Sequence, residues 1–109
     1  MSSNRSIEHT PDGRFVVIDG RRWRATDPML PEDIAARLRK HLMAARRAVR
    51  TALSDEDVAA ERSARGRVQR AKVALGERGA PWWEQSADQR RRRWEEGLSA
   101  LDESESESA

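Results

Sequence analysis

Residues 13–28 read GRFVVIDGRRWRATDP, and the fold turns on how this stretch is divided. A β-branched run, Phe15 to Ile18, precedes Asp19-Gly20, and an arginine-rich run carrying Trp23 follows. Asp-Gly between β-forming runs predicts a two-residue hairpin loop, because a type I′ turn needs positive φ at both central residues. The register then sets Ile18 opposite Arg21, Val17 opposite Arg22, Val16 opposite Trp23 and Phe15 opposite Arg24. Alternation puts Val16, Ile18, Trp23 and Ala25 on one face, and Phe15, Val17, Arg22 and Arg24 on the other, with Arg24 able to lie over Phe15. An isolated hairpin is marginal in water, so the apolar face is expected to dock on the chain's own helices. A hairpin that extends a sheet across a dimer is the alternative.

Downstream the period changes from 2 to 3.6. Asp27-Pro28 ends the strand, since proline cannot donate to a ladder, and Pro31 suits a first helical turn. Ile34, Leu38, Leu42 (or His41), Ala45, Val49 and Leu53 predict an amphipathic helix over 31–53. A second helix is expected over 55–78, capped by Ser54, with Asp55, Glu56 and Asp57 in its first turn. Ala60, Ala64, Val68, Ala71 and Leu75 give it a small-residue stripe, and the short connection makes the two helices antiparallel. Gly79 is the expected residue past its end, with Gly76 the alternative. Pro81-Trp82-Trp83 forms a bend, and the Ser86/Gln89 capping box starts a third helix over 87–101 on Ala87, Arg91, Trp94, Leu98 and Leu101, which Gly97 weakens.

The expected fold is therefore α+β and mainly helical. A β-hairpin over 14–25 packs on an antiparallel helix pair, and a third helix follows within one small domain over 13–101. Residues 1–12 read as a flexible arm and residues 102–109, DESESESA, as a disordered acidic tail.

Composition narrows the function. Hydrophobic and charged residues each make up 37% of the 109-residue chain, so the core is thin and a homodimer is an expected way of completing it. The absence of cysteine excludes disulfides, thiolate catalysis and cysteine-bound zinc. No apolar run reaches a membrane span and the start MSSNRSIEHT is polar, so the expectation is a cytoplasmic protein without membrane insertion. The net charge of +2 hides an asymmetry: without the acidic tail the body carries 21 basic against 15 acidic residues. A basic body points to an anionic partner, although the acids interleave with the bases along the helices.

Catalytic and cofactor signatures are missing. His9 and His41 are the two histidines, and nothing three or four residues from His41 adds a ligand. There is no glycine-rich phosphate loop. The expectation is a non-enzymatic interaction or adaptor protein, without cofactor, metal or catalytic residues, whose partner is another protein or a second copy. Its candidate surface combines Arg22 and Arg24 with Trp82 and Trp83, of which one tryptophan seals the hairpin. The alternative is a sequence-nonspecific nucleic-acid binder using Arg46, Arg47, Arg50, Arg90, Arg92 and Arg93 on phosphates. The acidic tail complements the Arg90–Arg93 cluster and would gate it by folding back.

Three blocks, HTPDGRFVVIDGRRWRATDP, LMAARRAV and RVQRAKVALGERGAPWW, occur in an order that resembles a family of short bacterial proteins labelled "biopolymer transporter Tol". The resemblance covers roughly His9 to Trp83 and implies no catalytic residue. The third helix and the acidic tail fall outside it.

Overall fold

The computed structural model describes residues 7–108. The Asp-Gly loop forms as its chemistry requires: Asp19 has φ 53° and Gly20 φ 79°. Strands β2 (Phe15–Ile18) and β3 (Arg21–Arg24) pair in the expected register, from Phe15 opposite Arg24 to Ile18 opposite Arg21. The hairpin is not alone. Strand β1 (Ile7–His9), inside the stretch expected to be a flexible arm, lies antiparallel on β2 and makes the sheet three-stranded, in the order β1-β2-β3. The Thr10-Pro11-Asp12-Gly13 turn joins them. Gly13 N–H donates to the Thr10 carbonyl (2.8 Å), and Thr10 Oγ1 donates to Asp12 (2.6 Å) and accepts from Phe15 N–H (3.2 Å). The rest of the expected arm, residues 1–6, lies outside the described residues.

Three helices form the body. Helix α1 (Glu32–Ser54) begins after Pro31 with Glu32 and Asp33 at its positive end. Helix α2 (Val58–Leu75) is capped by Asp57, whose carboxylate accepts from Ala60 N–H at 3.0 Å, rather than by Ser54, which still belongs to α1. Glu56, at φ 54°, makes the sharp turn between them. Helix α2 stops at Gly76 rather than Gly79. Gly76 is left-handed (φ 85°), and Glu77 N–H returns to the Lys72 carbonyl at 3.0 Å. A one-turn 3-10 helix (Trp82–Glu84) leads to helix α3 (Ala87–Ser108), whose first turn carries the Ser86/Gln89 capping box at 2.8 and 3.1 Å.

Helix α3 runs through the segment expected to be a disordered tail as far as Ser108. Tertiary contacts hold its acidic end: Asp102 accepts from Arg37 (2.6 Å) and sits 2.8 Å from His41 Nε2, both on α1, and Glu105 lies 3.5 Å from His41 Nδ1. The first acid of the tail is thus engaged by α1, not by the Arg90–Arg93 cluster.

The core lies where the three helices meet. Leu38, Leu42, Ala71, Ala74, Leu75, Trp94, Leu98 and Leu101 form one buried cluster, with Ile34 and Val68 packed against it. Leu38 and Leu75 have no exposed area, and burying each stabilises the fold by about 1.5–3 kcal/mol. Gly97 has a packing reason in α3, because a Cβ there would lie 2.7 Å from that of Ala74. The expected stripes fade away from this junction: Leu53 is half exposed at the end of α1, Ala60 is exposed at the start of α2, and Ala87 and Arg91 are exposed at the start of α3. The molecule is a slab of 43 × 42 × 22 Å, with a radius of gyration of 15.2 Å against about 13 Å for a compact chain of this length. Among the described residues, no helix is long and apolar enough to cross a membrane.

Candidate functional site: a groove beneath the sheet

One carboxylate fixes the sheet to the helices. Asp27 follows β3, has no exposed side-chain area, and accepts hydrogen bonds from Arg90 and Arg93 of α3. Arg93 reaches it at 2.6 Å and Arg90 Nε at 3.0 Å, and Arg90 also donates through its terminal nitrogen. Met29 N–H closes an Asx turn on the same carboxylate at 2.9 Å. The Asp27 backbone bonds the Leu75 carbonyl at 3.0 Å, so three elements converge on this residue. Burial pushes the Asp27 carboxyl up, but Arg90, Arg93 and the Met29 amide outweigh it and hold the group below the usual carboxylate range. The same bond raises the Arg90 guanidinium above its ordinary value.

This arrangement changes the expected phosphate set. Arg90 and Arg93 are consumed by Asp27, and Arg93 also donates to Gln85 (2.6 Å) and the Ala74 carbonyl (3.3 Å). Arg92 is exposed on α3, away from the groove described below. Arg46, Arg47 and Arg50 are exposed on α1.

The four residues of the expected interaction surface separate too. Trp82 is 7% exposed, and its indole N–H donates to the Ala25 carbonyl at 3.0 Å, so it is the ring that seals the hairpin. Trp83 is half-buried and meets Phe15 edge-on at 5.6 Å. Arg22, not Arg24, lies over Phe15 (4.4 Å). Arg24 instead lies near Trp83 (5.7 Å) and donates to the Gly79 carbonyl at 2.6 Å. Arg22, Arg24 and Trp83 therefore share the Phe15 side of the sheet, and Trp82 belongs to the core.

The opposite sheet face is left half open. Ile7 and His9 join Val16, Ile18, Arg21 and Trp23 on it, because residues paired across antiparallel strands share a face. Ile7 is 59% and Trp23 42% exposed, so the expected closure of this face onto the helices is incomplete. Between it and the flanks of α1 and α2 runs a groove of about 780 Å³. Val16, Ile18 and Trp23 form its apolar floor, and Arg39, Arg46 and Lys72 come from the helices across it. Arg21 adds a fourth cation on this side of the sheet, against Asp19 and Glu77.

Lys72 is the most constrained of these cations. Its ammonium lies 5.9 Å from the Trp23 ring, which Arg21 also covers at 4.6 Å. Burial presses its pKa below the ordinary lysine value and Arg46 and Arg78 add to this, against the opposing pull of Glu77 at 3.9 Å. Glu77 is itself shared, accepting from Thr26 at 2.7 Å. Sequence reading passed over Lys72 and Arg39, as well as Asp27. An Asp-Pro pair directly after a strand was the available signal for Asp27, because that aspartate can close an Asx turn. Lys72 and Arg39 become recognisable only once the sheet is placed over them.

His41 contacts Asp102 and Glu105 and lines a separate small cavity between α1 and α3. Among the described residues, no group of three or more His, Cys, Asp or Glu is arranged to hold a metal ion. No family model, no curated protein and no solved structure matches this chain.

Proposed function

We propose that this chain is a non-enzymatic interaction protein whose site is the groove beneath the sheet and whose partner is a protein segment carrying both acids and apolar side chains. One observation carries the reading: an apolar sheet face, with Trp23 at 42% exposure, stands across from the helix cations Arg39, Arg46 and Lys72. The floor takes up apolar surface, the cations select negative charge, and the half-buried ammonium of Lys72, 3.9 Å from Glu77, gains a second counter-charge in the complex. The ring of Trp23 is already covered by cations, which leaves it less free to stack on a nucleobase than an open platform would be.

A second reading, binding to nucleic-acid phosphates, draws on Arg39, Arg46 and Arg50, which follow one another on α1 at seven- and four-residue spacing and so share a side of the helix. The two readings separate in a titration of labelled acidic peptides and of a single-stranded oligothymidine against salt. The first expects preference for the acidic peptides, with binding that weakens in Lys72→Met and Arg46→Ala and that falls as salt screens the groove cations. Preference for the oligonucleotide, with a log–log salt slope of about −2 for three phosphate contacts, overturns it in favour of the second.

A further inference from the structure

From the open edge of the sheet we infer that the partner binds as an added strand: an extended acidic peptide pairs with the outer edge of β3 and alternates acidic with apolar side chains. The inference rests on the groove reading and adds the conformation of the ligand: its apolar side chains enter the groove, and acids alternating with them meet Arg22 and Arg24 on the other face, in addition to the acids that the groove cations select. Its geometry comes from the hairpin. With Asp19-Gly20 as a two-residue loop, Ile18/Arg21 and Val16/Trp23 are the hydrogen-bonded pairs, and the bond from Ala25 N–H to the Arg14 carbonyl (2.9 Å) continues that alternation. The backbone amides and carbonyls of Arg22 and Arg24 consequently point outward. Strand β3 is the last of the sheet, and among the described residues no strand pairs with its outer edge.

The side chains of this edge select the occupant. Arg21, Arg22 and Arg24 repel basic strands and discourage a second copy of β3, since antiparallel pairing of RRWR with itself sets arginine against arginine. An acidic strand meets the reverse condition. Side chains opposite Arg22 and Arg24 lie on the Phe15 side of the sheet, where both guanidiniums are already held over aromatic rings and little further ordering is needed. The side chain between them, opposite Trp23, turns into the groove beside Val16 and Ile18. The fitted pattern is acid–apolar–acid, with acids two residues apart. This is strand addition, in which main-chain hydrogen bonds supply affinity and alternate side chains supply specificity.

The test compares two labelled peptides of one composition, GSEVEVESG and GSVEEEVSG, by fluorescence anisotropy. Strand addition expects the alternating peptide to bind at least about tenfold more tightly. It also expects the Arg22 and Arg24 amide resonances to shift on addition of that peptide. Arg22→Pro, which removes an outward amide without touching a ladder bond, should weaken binding about fivefold beyond Arg22→Ala, the effect of one net hydrogen bond. Equal affinity for the two peptides, with unmoved Arg22 and Arg24 amides, overturns strand addition while leaving the groove reading standing. Binding of neither peptide overturns both. The resonance shifts decide the matter even where Arg22→Pro fails to fold.

Discussion

Replacing Asp27 with alanine should be the most damaging single change in this protein, and the structure sets its size. The substitution leaves two guanidiniums without their shared carboxylate, with side chains 17% (Arg90) and 7% (Arg93) exposed, and frees the Met29 amide. Removing one partner of a buried ion pair costs roughly 3–5 kcal/mol. Arg93 keeps Gln85 and the Ala74 carbonyl, and Arg90 reaches some water, so the loss belongs near the lower end, about 3 kcal/mol. For a domain of this size that is a fall in Tm of roughly 12–24 °C. Asp27→Asn keeps an acceptor for Met29 N–H and should lose less. Equilibrium unfolding in urea, with the denaturant slope unchanged, measures both. The pH dependence has a fixed sign. The carboxyl titrates lower when folded than when unfolded, so its contribution is complete above the unfolded value near 4 and is lost as the pH falls through the folded one. Wild type should therefore lose stability below about pH 4 more steeply than Asp27→Asn. A loss under about 1 kcal/mol for Asp27→Ala, the scale of a surface pair, would refute the reasoning.

Other sites give independent checks. Lys72→Met should raise Tm, because it removes an ammonium that burial disfavours, while weakening acidic-peptide binding; a fall in Tm would show that Glu77 compensates the charge fully. Gly97→Ala should destabilise by about 1–3 kcal/mol through overpacking against Ala74, and Ala74→Gly in the same chain should recover part of the loss, read by thermal unfolding. Gly76→Ala meets a left-handed backbone and places its Cβ 2.9 Å from that of Asp27, so it should weaken the sheet attachment by at least 1 kcal/mol, roughly the glycine conformational term alone. Asp102→Ala should raise amide exchange beyond Leu101, since it removes the partner of both Arg37 and His41.

The features legible in the sequence share a local cause. The hairpin register followed from Asp19-Gly20 because that loop's backbone conformation is chemically determined, and the buried positions where α1 and α3 meet the core (Leu38, Leu42, Trp94, Leu98 and Leu101) followed from helical periodicity. The departures have tertiary causes. Gly76 and Gly79 both take positive φ, and packing decides which ends the helix: the backbone at Gly76 is pressed against Asp27 and Trp82, while a Cβ at Gly79 would meet only Val73 at 3.6 Å or more. DESESESA has no large apolar residue to hold it, and its contacts to the body come from Arg37 and His41, some sixty residues earlier. Ile7–His9 is too short to declare a strand, and it becomes one because β2 offers an edge. The candidate site was half legible. Arg22 and Arg24 were identifiable on the hairpin, yet the groove's opposite wall comes from residues on two helices that nothing local ties to a sheet.

The attachment and the groove follow from one arrangement. A sheet packed flush on α1 and α2 would bury Trp23 and Ile7 and stabilise the fold through apolar area. Here Ala25, Asp27 and Trp82 carry the sheet at one end, through hydrogen bonds to α2, α3 and each other, while the sheet face at the other end stays open and Trp23 meets the helices only through the Lys72 ammonium. Hydrogen bonds to a charged group are worth about 1.5–3 kcal/mol each, so a cluster centred on Asp27 can offset the apolar burial forgone by the open face. It follows that loosening the attachment should damage binding beyond its effect on stability. Gly76→Ala, at a temperature where it remains folded, should lower affinity for an acidic peptide although its added methyl meets Asp27 and Trp82 rather than a side chain of the groove. Affinity equal to wild type in that variant would mean that the groove's walls are positioned by something other than the Asp27 attachment.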